Sequence, residues 1–287
     1  MLAQPFNLPR EFPITQRDFD YIAGLATERT GIVFGINKVD LIYTRLCRRL
    51  RKLQFNTFKQ YVEFLKKDEN GDEVLALINS LTTNMTSFYR APDHFTHLGK
   101  DAIHEMLEHL SRKKTNRIRI WSAGCSTGEE PFSIAMTAIQ TLGMRLDKLD
   151  LKILATDIDT NILSQASAGI YEESKLADIS PADRKSFFKK DKNNQHPSWK
   201  VNDRVRSLVT FKSLNLLGKW PMQGQFDAIM CRNVMIYFNA EIKKKLVFRL
   251  SDILRPGGWL YLGNSESITF PCPDLSREGS TIYRRTI

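Results

Sequence analysis

The chain has 287 residues, 42% hydrophobic and 26% charged, enough to bury a core in one large domain or two unequal ones. No run reaches the roughly 18 apolar residues of a membrane span, Met1 to Arg10 lacks a secretory-leader pattern, and four scattered cysteines without a CxxC pair give no zinc or disulfide signature. A reduced, cytoplasmic protein without membrane insertion is expected, and its net charge of +10 calls for an acidic partner: nucleic acid, anionic lipid or protein.

The first 80 or so residues read as helices. Thr15 caps a segment from Gln16 to about Thr30, with Phe19, Ile22, Ala23 and Ala26 at helical spacing and Gly31 as its stop. From Val39 to Leu53 two faces separate: Ile42, Leu46, Leu50 and Leu53 form an apolar stripe, while Arg45, Arg48, Arg49 and Lys52 fall on an exposed basic face. That face is either solvated or a docking surface. Short helices follow over Thr57 to Lys66 and Asp72 to Leu81.

From Arg117 the pattern changes to strand, turn, helix, strand, acid, helix: a strand over Ile118 to Ser122, a helix over Glu129 to Leu142, a strand from Leu151 to Thr156, then a helix from near Asn161. That grammar predicts a parallel sheet with helices on its faces. Phe226 to Cys231 and Trp259 to Gly263 read as later central strands, joined by a helix from Ala240 to Leu254 that stops at Arg255-Pro-Gly-Gly258. Ser280 to Arg285 reads as a final edge strand. Between Gly169 and Asn215 the alternation breaks, and Trp199 to Val201 and Leu208 to Phe211 suggest a small antiparallel insertion.

Ser122-Ala-Gly-Cys-Ser-Thr-Gly128-Glu-Glu-Pro131 lies at the carboxyl end of the first strand, where open α/β sheets bind ligands. It is neither GxGxxG nor a P-loop. Glu129 and Glu130 follow it, so the site repels phosphate and suits a cation, unless these acids only complement the helix dipole. Asp157 closes the next strand, placed for ribose hydroxyls; the alternative, a helix N-cap, fits Asp159 or Thr160 better. A glycine turn and an acid after consecutive strands indicate a nucleoside, and acids in place of phosphate-binding groups favour S-adenosylmethionine. The five histidines (His94, His97, His104, His109, His196) form no metal-ligand set, and His94 and His97 read as polar side chains facing solvent. No metal is expected.

Four segments, Ser80-Leu-Thr-Thr-Asn-Met-Thr-Ser-Phe-Tyr-Arg90, Trp121-Ser-Ala-Gly-Cys-Ser-Thr-Gly-Glu-Glu-Pro131, Cys231-Arg-Asn-Val-Met-Ile-Tyr-Phe238 and Leu254-Arg-Pro-Gly-Gly258, closely resemble the CheR family of chemotaxis receptor methyltransferases. The resemblance covers nearly the whole chain. It implies an all-α amino-terminal domain (about 1–82), a linker (about 83–100) and a Rossmann-like class I methyltransferase domain (about 101–287) with a small antiparallel β-subdomain (about 172–212). It implies transfer of a methyl group from S-adenosylmethionine to receptor glutamates, leaving S-adenosylhomocysteine.

Residue by residue, Asn84, Thr86 and Arg90 match the family's linker motif reaching the cofactor, Glu130 and Asp157 its cofactor-binding acids, and Asn215 and Leu216 its adenine-lining segment. Arg232 and Asn233 match the strand end beside the methionine moiety, and Arg90 and Tyr237 the pair that orients the acceptor carboxylate. The basic face from Arg45 to Lys52 then gains a partner in the receptor's glutamate-bearing methylation helices. Some family members also tether to a peptide at the receptor's carboxyl terminus through a glycine-containing loop. The matching stretch here, Lys189 to Lys200, has no glycine, so a tether-independent enzyme is expected; nothing in the sequence calls for an obligate dimer, and a monomer is expected. A nucleic-acid methyltransferase would end the strand before Arg232 with a proline-rich, base-stacking signature, which is missing, so nucleic acid is not the expected substrate.

Overall fold

The computed structural model describes Phe6, residues 10–191 and residues 197–286. The chain divides into two compact units: Met1–Thr83 with Tyr237–Ile242, and Asn84–Ile236 with Lys243–Ile287.

The first unit is helical: α1 (Gln16–Thr30), α2 (Val39–Leu53), α3 (Phe58–Lys66) and α4 (Asp72–Leu81). Local chemistry fixes the ends of α1. Thr15 and Asp18 form a capping box, each side chain accepting the other's backbone N–H, and Gly31 at φ 75° closes the helix in the left-handed region. Ile22, Ile42, Leu46, Leu50, Phe58, Tyr61 and Leu77 are fully buried, three of the four stripe positions of α2 among them, while Leu53 is half-buried. The basic face of α2 is narrower than its periodicity predicts. Arg45 donates to the carbonyls of Leu81 and Thr82 and to the Thr83 hydroxyl, satisfying the orphan carboxyl end of α4. Arg49 forms a two-pronged pair with the buried Glu73. Arg48 and Lys52 face solvent.

The second unit opens with α5 (Pro92–His97), a π-turn (Leu98–Ala102) and α6 (Ile103–Lys113). Then follow β1 (Arg117–Ala123), α7 (Glu129–Leu142), β2 (Asp150–Asp157) and α8 (Thr160–Ala168). After these come β3 (Ile170–Glu172), α9 (Pro181–Phe187), β4 (Phe188–Asp191), β5 (Ser198–Val201), α10 (Asp203–Arg206) and β6 (Val209–Ser213). The chain ends with β7 (Phe226–Cys231), α11 (Ala240–Ile253), β8 (Leu254–Leu262), β9 (Leu275–Arg277) and β10 (Ile282–Arg285).

Seven strands form one sheet in the order β6-β2-β1-β7-β8-β10-β9. β6 through β8 run parallel, and β10 and β9 are antiparallel additions. Every residue of β7 is buried, as a central strand covered on both faces requires. Three expectations are corrected. Val209–Ser213 is not in the insertion: it pairs in parallel with β2, and the small antiparallel sheet is β3-β5-β4, within 170–201. A four-residue apolar run fits either sheet, and the unpaired flank of β2 claims it. The last strand is not an edge either, because β10 lies between β8 and β9. β8 begins at Leu254, eight residues before Leu262, with Arg255-Pro-Gly-Gly258 absorbed where its register against β7 shifts.

Candidate active site

The strand order reverses at β1, with β2 and β6 on one side and β7 and β8 on the other. A ligand crevice therefore lies beyond the carboxyl ends of β1 and β7.

The turn after β1 is built for close approach. Gly124 has φ 83°, and a Cβ there would stand 2.3 Å from Val234 Cγ2. Gly128 has φ 94°, with the Tyr171 hydroxyl 3.0 Å from where a Cβ would be. The N–H groups of Gly124 and Cys125 both donate to the Thr156 carbonyl at 2.8 and 2.9 Å, tying the turn to the end of β2. The Asp157 carboxylate accepts from Ser126 N at 2.8 Å and Asp159 N at 3.1 Å. Burial pushes its carboxyl above the ordinary range against those bonds. Asp159, not Asp157, caps α8, accepting from Asn161 N and Ile162 N.

The linker closes over this turn. Asn84 Nδ2 donates to Asp159 at 3.0 Å, and the Asn84 carbonyl accepts from the Ser126 hydroxyl at 3.2 Å. The Thr86 carbonyl lies 3.4 Å from Lys175 Nζ. Arg90 is exposed between two left-handed residues, Tyr89 at φ 51° and Ala91 at φ 55°, a strained arrangement that needs support. Tyr89 N donates to the Ser133 hydroxyl at 3.0 Å, and the Arg90 carbonyl accepts from Arg232.

Arg232 also pairs with Glu130 at 3.2 Å, their side chains 3% and 13% exposed, and Glu130 accepts from the Ser122 hydroxyl at 2.7 Å. Burial raises the Glu130 carboxyl, while Arg232 is the strongest influence holding it down. Glu129 is fully buried and accepts from Thr127 Oγ1 at 2.5 Å. On the flank of β2, Leu214 N donates to the Asp157 carbonyl; Asn215 accepts from Leu217 N, and the carbonyl of the buried Leu216 accepts from Trp220 and Arg249. The structure thus brings Asn84, Arg90, Glu130, Asp157, Arg232 and, through the turn after β7, Asn233 to one end of the sheet. Tyr237 groups with the helical unit, where its carbonyl accepts from Val33 N at 3.0 Å.

Buried acids in the first turn of α7 fit a ligand bearing a sulfonium and an ammonium, and oppose one bearing phosphates. Among the described residues no cluster of His, Cys, Asp or Glu could hold a metal, and His196 lies outside them. His94 and His97 do not point into solvent as expected. His94 is buried and hydrogen-bonds Thr281, burial pushing its imidazole down to about 4, and His97 meets the Tyr261 hydroxyl.

Three supporting groups lie outside the motifs of the sequence. The Tyr171 hydroxyl, from the small sheet, donates to the Thr127 carbonyl at 2.7 Å. Ser133 links Tyr89 to the Glu129 carbonyl. Glu266 accepts three backbone N–H groups at the ends of β7 and β8. Only the last left a signal, a lone acid four residues past an apolar strand.

Comparison with known proteins places the chain beside one family. The family model described as "CheR methyltransferase, SAM binding domain" matches residues 84–280, and "CheR methyltransferase, all-alpha domain" matches residues 17–82. A "Probable chemotaxis protein methyltransferase" of Rhizobium etli is 39% identical over 257 residues, covering 89% of this chain and 95% of its own. The "Chemotaxis protein methyltransferase" of Salmonella typhimurium is 37% identical over 278 residues, covering 96% and 93%. "Chemotaxis protein methyltransferase 2" of Pseudomonas aeruginosa is 38% identical, covering 96% and 95%.

Proposed function

The chain belongs to the CheR methyltransferase family, and from that premise we propose that it esterifies glutamate side chains of chemotaxis receptors in the cytoplasm, acting as a monomer. It is an S-adenosylmethionine-dependent methyltransferase; when bound, the cofactor supplies a methyl group made electrophilic by a sulfonium. In this reading Asp157 holds the ribose, Asn215 and Leu216 line the adenine, Arg232 and Asn233 lie beside the methionine end, Glu130 is a further cofactor-binding acid, and Asn84, Thr86 and Arg90 reach the cofactor from the linker. Arg90 and Tyr237 orient the acceptor.

The observation that carries the acceptor class is the placement of Arg90: an exposed cation on a backbone pinned by Arg232 on one side and, through Tyr89, by Ser133 on the other. A fixed cation selects an anionic acceptor and keeps its charge balanced as water leaves. A glutamate, with a pKa of about 4.3, is ionised at neutral pH and needs no general base. Arg90 and the Tyr237 hydroxyl have only to hold one carboxylate oxygen in line, at about 3 Å from the carbon it attacks. Arg48 and Lys52 on α2 offer the acidic methylation helix a complementary face, which steers encounter more than it adds affinity. A tether to a receptor terminal peptide forms no part of this reading; residues 192–196 of the stretch in question lie outside the described residues.

The test is transfer of radiolabelled methyl groups to receptor-containing membranes, followed by mild alkali. Label in receptor-sized protein, released as methanol, is expected. Label that survives alkali means a nitrogen or carbon acceptor and rejects the glutamate assignment.

A further inference from the structure

We infer that Glu266 is a positioning residue for the cofactor crevice, the brace that fixes the turn after β7; this rests on the methyltransferase reading above. Glu266 lies in the tight turn after β8, its N–H donating to the Gly263 carbonyl at 2.8 Å. It is 5% exposed. Its Oε2 accepts from Asn233 N at 2.6 Å and Gly263 N at 2.8 Å, and its Oε1 from Ile236 N at 3.0 Å. A buried carboxylate normally recruits a cation. This one instead spans two strand ends through backbone N–H groups, close enough for its charge to be felt by Arg232.

What it holds bears on the reaction. Asn233 is at φ 59°, a backbone state that a free turn leaves readily. Val234, next in the chain, occupies the space against Gly124, where a Cβ would stand 2.3 Å away. The turn after β7 thus leans directly on the glycine turn after β1, and Glu266 fixes the distance between the two walls of the crevice. Gly263 permits this: a Cβ there would stand 2.4 Å from Glu266 Oε2 and 2.8 Å from Asn233 N. Glu266 touches neither cofactor nor acceptor in this scheme and acts through Asn233, Val234 and Ile236.

Glu266→Gln turns one acceptor oxygen into an N–H group facing an N–H donor, so at least one of the three bonds is lost. Glu266→Asp keeps the charge one methylene short. Both variants are made in the full chain and compared by thermal unfolding, by calorimetric binding of S-adenosylhomocysteine without acceptor, and by methyl transfer to receptor membranes. Glu266→Gln is expected to unfold cooperatively yet bind S-adenosylhomocysteine about tenfold more weakly, as loss of about one charge-assisted bond implies. KM for S-adenosylmethionine should rise in parallel and KM for receptor should hold, with Glu266→Asp intermediate. Lower thermal stability with unchanged S-adenosylhomocysteine affinity makes Glu266 merely structural and overturns the inference. If Glu266→Gln does not fold, Glu266→Asp decides by the same affinity. Because that binding is read without an acceptor, a wrong acceptor class leaves the result intact.

Discussion

Replacing Arg232 with methionine should destabilise the second unit in a pH-dependent way that its geometry specifies. Arg232 and Glu130 form a nearly solvent-free pair, 3% and 13% exposed, and removing one partner of such a pair costs about 3–5 kcal/mol. Glu130 can recover part of this by taking up a proton, because burial already raises its carboxyl and Arg232 is what most restrains it. A carboxyl raised in the folded state contributes stability that is full below its unfolded value, near about 4.3, and lost as pH climbs through the folded one. The deficit of Arg232→Met should therefore be largest near about pH 8 and shrink toward about pH 5. Adding Glu130→Gln removes the stranded charge but not the lost bond from Arg232 to the Arg90 carbonyl. The double variant should therefore lie between Arg232→Met and wild type, about 1.5–3 kcal/mol below the latter. Urea unfolding at several pH values measures this, followed by the fluorescence of Trp121 and Trp220, which meet edge-to-face in this unit. A deficit independent of pH, or no rescue by Glu130→Gln, refutes the reasoning.

Asp157→Asn keeps one oxygen where two now accept from Ser126 and Asp159, and calorimetry should show S-adenosylhomocysteine bound about tenfold more weakly. Gly124→Ala puts a methyl group onto Val234 at a left-handed position, costing about 1–3 kcal/mol and most cofactor binding; Val234→Ala in the same chain should restore part of both, and no restoration would mean that the conformation alone is at fault. Arg48→Glu with Lys52→Glu should slow receptor methylation and weaken its salt dependence while leaving S-adenosylhomocysteine affinity unchanged. Arg49→Ala strands the buried Glu73 and should instead lower the stability of the helical unit by about 3–5 kcal/mol, seen as an earlier helical melting transition by circular dichroism.

The helices were legible because their stops and starts are local chemistry: Thr15, Gly31 and Thr57 end or begin helices through bonds to near neighbours. The glycine turn and Asp157 were legible because a strand followed by small residues or an acid has few alternatives. What failed depends on distant partners. Leu208 to Phe211 carries no mark of whether β2 or a hairpin will claim it, and only the vacant flank of β2 decides. The helical repeat of α2 ranks Arg45 with Arg48, but the end of α4, 36 residues on, turns Arg45 inward. Glu266 shows only as a lone acid past an apolar strand, because its partners are backbone N–H groups, which no side-chain pattern encodes.

The pairing of β1 with β7 has a consequence in time. Arg119 and Asp227, joined across these strands, are 108 residues apart in the chain. Synthesis runs from the amino end, so a growing chain carries the glycine turn, Asp157 and the whole of α7 long before β7 exists to form the opposite wall. Until then one flank of β1 is an open strand edge, the kind of surface that invites wrong partners, and so distant a contact is slow to close. The helical unit waits as well, since Tyr237–Ile242 belong to it. Neither unit is complete before residue 242 is made, and a polypeptide halted before Phe226 carries the glycine turn, Asp157 and α7 without the strand that forms the opposite wall.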